Sequence, residues 1–427
     1  MSEIRIRPIR HLRGEITLPG DKSISHRAII LASLARGKTL VSGISRGEDV
    51  LNTARVFQSM GIEIKGVGSD SLTIPGKGLR GLSQPKDIID CGNSGTTMRL
   101  LSGILAAQDF SSTITGDESL RKRPMDRVVE PLEKMGAKIE GRFAPLKIEG
   151  KRLKAISYRT SISSAQVKSA ILLAGLYASG KTEVTEPARS RDHTERMLKY
   201  LEADIEVRDL TSNIMGGKEL AAKPINIPGD ISSASFFMVG AILLPGSHIK
   251  LSGVGLNPTR TGVIDILKRM GAKIEIENLR EENNEPLGDI IVKGSNLRGI
   301  TISGEIIPRV IDELPILALA ATKAEGKTVI KDARELRVKE TDRIRALVTN
   351  LSIMGARVEE KEDGLVIQGP TELRGGRLDS FADHRMAIAL IIGGLIAQGE
   401  TVVSGTDCIK TSFPEFEETL DRLKVVE

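Results

Sequence analysis

A short signature recurs along this chain and limits what it can fold into. Met60-Gly61-Ile62-Glu63, Met135-Gly136-Ala137-Lys138, Met270-Gly271-Ala272-Lys273 and Met354-Gly355-Ala356-Arg357 each end a helix-like stretch. Alternating apolar and charged residues follow, as in Ile274-Glu275-Ile276-Glu277. A glycine at that point supplies the left-handed residue that stops a helix, and the alternation predicts a strand with one wet face. A weaker copy stands at Leu201-Glu202-Ala203-Asp204, and a last one starts at Leu423. The spacing predicts six units of roughly 70 residues each.

A second piece repeats with the first. Helices rich in Ala, Leu and Ile lead through glycine into β-branched strands at residues 28–41, 170–184, 235–251, 318–330 and 387–403. Such helices are apolar on every side, so they must be buried. Six βαβ-type units grouped three and three predict an α/β protein of two similar lobes. No linker is rich in Pro, Ser or Gly. The crossing points are expected near Leu18-Pro19-Gly20 and Ile227-Pro228-Gly229, where proline and glycine punctuate strand-to-helix transitions. Residues 279–286 are acidic and polar and read as a surface turn.

Composition agrees with two domains, since 427 residues exceed one ordinary core. The 40% hydrophobic and 27% charged content is that of a soluble globular protein. No apolar run reaches the roughly 20 residues of a membrane helix; the strongest, 386–397, reads as a buried helix. Glu3-Ile4-Arg5-Ile6 already alternates like a strand, so no signal or transit segment is expected. Cys91 and Cys408 are the only cysteines, which predicts neither a disulfide framework nor a zinc site, and a reducing cytoplasm. The 61 basic and 56 acidic residues leave +5, which suits anionic ligands rather than a nucleic-acid surface. No Trp, three Tyr and eight Phe also leave few platforms for stacking bases.

Several segments concentrate groups that bind anions. Pro19-Gly20-Asp21-Lys22-Ser23-Ile24-Ser25-His26-Arg27 delivers a lysine, serines and an arginine to the start of a buried helix, where free N–H groups and the dipole favour an anion. Asp90-Cys91-Gly92-Asn93-Ser94-Gly95-Thr96-Thr97-Met98-Arg99 is a second cradle that lets backbone approach a ligand, without the lysine or spacing of a nucleotide P-loop. In Leu120-Arg121-Lys122-Arg123-Pro124, Arg121 and Lys122 read as a solvated face. Arg123, held beside a proline able to open a helix, is the ligand candidate. Ser163-Ser164-Ala165-Gln166-Val167-Lys168 opens a further helix with hydroxyls and an amide, and Arg191-Asp192-His193 follows a strand.

The carboxylates lie in the C-terminal half. Asp312-Glu313-Leu314-Pro315 precedes a buried helix and also reads as an N-cap. In Arg337-Val338-Lys339-Glu340-Thr341-Asp342-Arg343, a helix would put Lys339 and Arg343 on one face, with a surface ion-pair ladder as the alternative. Asp383-His384-Arg385 opens the last buried helix, and Lys410 lies in a turn before Phe413-Pro414.

Taken in order, Lys-Ser-x-Ser-His-Arg at 22–27, Gly-Asn-Ser-Gly-Thr at 92–96, Arg123-Pro124, Arg-Val-Lys-Glu-Thr-Asp-Arg at 337–343 and Asp-His-Arg at 383–385 resemble the EPSP synthase family of enolpyruvyl transferases over essentially the whole chain. The resemblance implies a two-lobed inside-out α/β barrel, with helices inside and sheets outside each three-repeat lobe. One lobe would run 16–229, the other would join 1–15 to 230–427, and substrates would bind in a cleft between them. It implies transfer of the enolpyruvyl group of phosphoenolpyruvate to shikimate 3-phosphate by a cytoplasmic monomer, with no metal or organic cofactor and no nucleic-acid or membrane partner.

Carried over by position, Lys22, Ser23, Arg27, Ser164, Gln166, Arg191, Asp312 and Lys339 look like shikimate 3-phosphate contacts. Lys22, Gly95, Arg123, Gln166, Arg343, Arg385 and Lys410 look like phosphoenolpyruvate contacts. Arginine forks match both the phosphate and the carboxylate of such ligands. Asp312 is the candidate base, Glu340 the candidate for proton traffic at the methylene carbon, and Lys22 stabilises developing charge. Lys410 falls one residue out of register with the family lysine. Ala165, where many members have serine, and Leu100, where they have proline, resemble the second of the family's two sequence classes. The sister enzyme acting on UDP-N-acetylglucosamine usually has Lys-Asn at the first motif and a cysteine before Arg-Pro; here stand Lys22-Ser23 and a cysteine-free 115–123. A repeat-built RNA-binding protein is the rival of another class, and the scarcity of aromatics argues against it.

Overall fold

Every repeat solves the same problem: an apolar helix must be covered on all sides, and one sheet can cover only one side. The computed structural model describes residues 2–425. The chain divides into two units. The first comprises the chain up to Pro19, Pro228–Arg280 and the chain from Pro286 onward; the second comprises Gly20–Ile227 and Glu281–Glu285. A boundary at residue 16 would fall inside a strand, because His11–Thr17 is continuous and pairs in parallel with His248–Gly255. The first crossing therefore comes after Pro19.

In the second unit the buried helices are Lys22–Leu34, Gly95–Leu105 and Ala165–Gly175. Those of the first unit are Ile231–Leu243, Leu314–Lys323 and His384–Ile396. From Ile24 to Leu34 every residue is buried, and so is every residue from Ile231 to Ile242. Each buried Leu or Ile contributes about 1.5–3 kcal/mol relative to exposure, so these helices are the core of their units. Sequence reading found five of the six helix-to-strand pieces. The missed one, Gly95–Leu105 leading to Ser111–Thr115, is disguised because Gln108-Asp109-Phe110 stands where the others carry a glycine at the passage from helix to strand.

Four of the six buried helices join two parallel strands of one sheet, as Gly95–Leu105 does between Ile89–Asp90 and Ser111–Thr115. Lys22–Leu34 and Ile231–Leu243 instead lead from a strand of one sheet into a strand of another. An outer helix and antiparallel strands then complete the sheet, giving three sheets per unit. Those sheets stay separate, of three to five strands each, and do not close into a barrel. Where a repeat lacks its own strand, a distant one serves. Ile225–Asn226 pairs with the Ala35–Ser42 strand, and Glu3–Ile6 pairs with Thr401–Ser404.

The outer helices show one apolar stripe; in Asp126–Lys134 the buried residues are Val128, Val129, Pro131 and Leu132. Each full signature glycine is left-handed, with φ of +88° at Gly61, +101° at Gly136, +104° at Gly271 and +86° at Gly355. The weak copy puts Glu202 at φ 67° in the same role, a conformation that costs a side-chain-bearing residue about 1–2 kcal/mol. The sixth helix, Phe416–Asp421, leads into Lys424–Val425, which pairs with His11–Leu12. Residues 279–286 are mostly strand rather than turn. Lys273–Glu282 and Glu285–Lys293 meet at Asn283-Asn284, both left-handed as a tight hairpin requires. Among the described residues no helix is long and apolar enough to cross a membrane.

Candidate active site

In the second unit the first turns of the three buried helices adjoin. Asp21, Ser94 and Ser164 cap them, accepting from the backbone N–H groups of Ile24, Thr97 and Val167. The amide of Gln166 donates to Thr96 Oγ1 at 2.7 Å, joining the third helix to the second. Arg27 joins the first to the third, donating from Nε to Thr194 Oγ1 at 2.6 Å and from a terminal nitrogen to Ser169 Oγ at 3.0 Å. A buried chain, His26 to Thr53 at 2.7 Å and Thr53 to Thr97 at 2.6 Å, joins the first to the second. Three positive helix ends thus share one neighbourhood, which attracts anions.

The cations are set around those ends. Lys22 pairs with Asp49 at 2.5 Å. Arg191 donates to Ser23 Oγ at 3.4 Å. Buried Arg123 is held by Asn93 Oδ1 and Ser119 Oγ, both at 3.1 Å. Gly95 leaves room for the guanidinium ends: a Cβ there would lie 2.6 Å from Arg99 and 3.4 Å from Arg123. Burial pulls Arg27 down to about 10, opposed by the charge of Glu195, and it stays cationic near neutrality.

His26 makes a pH prediction for this unit. Burial, then the charges of Lys22 and Arg27, hold its imidazole well below 6.5, so it folds neutral. An unfolded chain takes up the proton below about pH 6.5 and the folded one does not. Stability is therefore fully present above that pH and falls as pH drops, by up to about 1.4 kcal/mol per unit. Urea unfolding at pH 7 and pH 5 should show the loss, and His26→Asn should reduce the difference. An undiminished difference would remove His26 as its source.

In the first unit opposite charges alternate. Arg343, with only 1% of its side chain exposed, meets three carboxylates: Asp383 at 2.7 Å, Glu340 at 2.7 Å and Asp312 at 3.4 Å. Arg385 lies 3.6 Å from Asp312 and 3.9 Å from Glu313, and Glu313 lies 3.3 Å from Arg260. Burial alone would lower Arg343; the charges of Asp383, Glu340 and Asp312 outweigh it and hold the guanidinium above its usual range. Lys339 is shifted down by burial, partly offset by Asp312. Asp383 and Glu313 are wholly buried, whereas Asp312 and Glu340 keep 15% and 22% of their side chains exposed. Only the latter two combine an arginine contact with access for a reacting group.

The pattern that describes EPSP synthase (3-phosphoshikimate 1-carboxyvinyltransferase) matches residues 6–420. The chain belongs to the EPSP synthase family. It is 55% identical to a 3-phosphoshikimate 1-carboxyvinyltransferase of Geobacter metallireducens over 427 residues, covering 99% of each chain. It is 54% identical to one from Geotalea daltonii, covering 98% of this chain and 99% of that one. A solved EPSP synthase from Acinetobacter baumannii is similar with a TM-score of 0.89 and 46% identity, over 99% of this chain and 98% of that one.

The residues suggested by likeness to EPSP synthase fall into these two clusters, with one exception. Lys22, Ser23, Arg27, Gly95, Arg123, Ser164, Gln166 and Arg191 lie in the second unit's cluster, and Asp312, Lys339, Glu340, Arg343 and Arg385 in the first unit's. Lys410 is exposed on a short 3₁₀ turn and faces Asp407 at 4.0 Å. Arg121 and Lys122 are exposed while Arg123 is buried, as the charge run suggested.

Three local expectations need correction. Residues 339–342 are not helical: a 3₁₀ turn ends at Val338, Lys339 is extended, and a helix starts at Arg343 with Asp342 as its cap. Lys339 and Arg343 therefore do not share a helical face. Pro124 does not open a helix, which begins at Asp126. Asp312 is no cap either, being tied instead to arginines across the fold.

Sequence reading missed Asp49, Glu313, Arg260, Asp383 as an arginine partner, and the Ser169–Thr194 pair beneath Arg27. None carries a local signal beyond a helix start. Each is defined by a partner on another element.

Proposed function

We propose that this chain transfers the enolpyruvyl group of phosphoenolpyruvate to the 5-hydroxyl of shikimate 3-phosphate and releases inorganic phosphate. The observation that carries the reading is the pair of clusters: one of helix ends and cations for anions, the other of arginines joined to two accessible carboxylates. Lys22, Ser23, Arg27, Ser164, Gln166, Arg191, Asp312 and Lys339 hold shikimate 3-phosphate. Lys22, Gly95, Arg123, Gln166, Arg343 and Arg385 hold phosphoenolpyruvate. Lys410 belongs to that second set by position in the family alone. In this reading both clusters act on one substrate pair.

The 5-hydroxyl of shikimate 3-phosphate attacks C2 of phosphoenolpyruvate and gives its proton to Asp312. C3 gains a proton by way of Glu340, which makes a tetrahedral adduct. Loss of a proton from C3 with departure of phosphate from C2 then restores the double bond. Lys22 and the arginine forks stabilise the adduct's charge. The enzyme works as a monomer in the cytoplasm in this reading; the two unpaired cysteines support the reducing compartment.

The test is phosphate release from phosphoenolpyruvate, with shikimate 3-phosphate or UDP-N-acetylglucosamine as acceptor. Release that depends on shikimate 3-phosphate alone is expected. Release with the nucleotide sugar would overturn the acceptor, and release with neither would overturn the reaction.

A further inference from the structure

Behind the anion cluster of the second unit sits a buried ion trio. Lys168 Nζ lies 2.8 Å from Glu186 and 2.8 Å from Glu195, and the three side chains are 4%, 3% and 4% exposed. Burial works against the ammonium, but the two carboxylates outweigh it and hold Lys168 above its usual range. A buried trio of this kind adds little to stability over a well-packed apolar one, so its value must be sought in what it orients.

What it orients is specific. Glu186 accepts the backbone N–H of Ser164 at 3.1 Å and that of Ser190 at 3.4 Å. Ser164 is the cap of the third buried helix, and Ser190 precedes Arg191. Ser163 Oγ accepts the N–H of Ala188 at 3.0 Å, tying the same two loops once more. On the other side of the lysine, Glu195 follows Thr194 and accepts from Ser212 Oγ at 3.2 Å. Thr194 and Ser169 lie 2.6 Å apart, and both accept from Arg27. Lys168 is thus the joint between the carboxylate that fixes Ser164 and Arg191 and the turn that fixes Arg27. Glu195 is also the first of the carboxylates that favour the charge on Arg27.

We propose that Lys168 and Glu186 are positioning residues that preset Ser164, Arg191 and Arg27 for one ligand, shikimate 3-phosphate; the proposal rests on the assignment of those three residues to that substrate. Neither Lys168 nor Glu186 touches the substrate. Holding binding groups in place before the ligand arrives is worth much, since misplacement by about 1 Å can cost on the order of 100-fold.

Steady-state kinetics of the full chain separate this role from a merely structural one. Lys168→Met should raise the KM for shikimate 3-phosphate by about tenfold or more, with a smaller fall in kcat and little change in the KM for phosphoenolpyruvate. Lys168→Arg, which keeps both ion pairs, should restore most of the loss. A variant that only lowers the amount of folded enzyme would lower kcat and leave both KM values alone, and that result would overturn the proposal. If Lys168→Met does not fold, Glu186→Gln keeps the shape and removes the ion pair. It should show the same split, and an unchanged KM there would be equally decisive against the role. Ser164→Ala and Arg27→Lys tell the two failures apart. If they raise the KM for shikimate 3-phosphate and the Lys168 and Glu186 variants do not, the positioning role alone is wrong. If they leave it unchanged, the substrate assignment is wrong and the positioning role falls with it.

Discussion

Asp312→Ala should reduce kcat by about 10²- to 10⁴-fold, the usual worth of a positioned acid or base, while the enzyme still binds both substrates. The geometry explains the split. Asp312 lies 3.4 Å from Arg343 and 3.6 Å from Arg385, so its removal frees two arginines from one competing carboxylate. Equilibrium binding of phosphoenolpyruvate should then be equal to or tighter than in the parent enzyme. Single-turnover phosphate release, measured beside a binding titration, checks both halves. Unchanged turnover would remove Asp312 as the base. Equal losses in turnover and binding would leave it a ligand contact alone, with no part in proton transfer.

Arg343→Met should be the most destabilising change in the first unit. The guanidinium is almost wholly buried and neutralises Asp383, which is wholly buried too, together with Glu340. Breaking a buried pair by removing one partner costs about 3–5 kcal/mol, because the other charge is left uncompensated. For a unit of this size that corresponds to a fall of roughly 10 °C in Tm. Calorimetry of variant and parent measures the loss. Adding Asp383→Asn to the Arg343→Met variant should recover part of it, because the stranded charge is then removed. No recovery would mean that lost packing, rather than stranded charge, is the cause. Arg343→Lys should recover only part of the stability, because an ammonium cannot reach three carboxylates with a planar fork.

The two experiments also bear on how the first unit's cluster handles an anionic ligand. Its arginines are already satisfied by carboxylates, so a ligand phosphate or carboxylate must compete with Asp312 or Glu340, the two with access. Asp383 and Glu313, at zero exposure, hold the arginines from behind. That difference between accessible and inaccessible carboxylates separates candidate reacting groups from supports. Nothing in the linear sequence marks it: Asp312 and Glu313 are neighbours in the chain and have opposite burial.

The sequence by itself determined the repeated unit, five of the six helices buried on every side and the left-handed glycine at each of the four full signatures. It also marked the helix starts that gather cations, and it distinguished Arg123 from Arg121 and Lys122. These features are local. A glycine's φ, a cap's hydrogen bond and the period of an apolar stripe are settled within a few residues, so they can be read from a few residues. Only the tertiary structure decided which charge meets which. Arg343 and Asp383 are 40 residues apart, and Arg260 and Glu313 are 53 apart. With 61 basic and 56 acidic side chains available, the pairing is chosen by the packing of helices and sheets. The same holds for the strands that Glu3–Ile6 and Ile225–Asn226 lend to distant sheets, and for the extended Lys339. Coulomb energy and strand pairing depend on distance in space, and that distance exists only once the repeats have folded against one another.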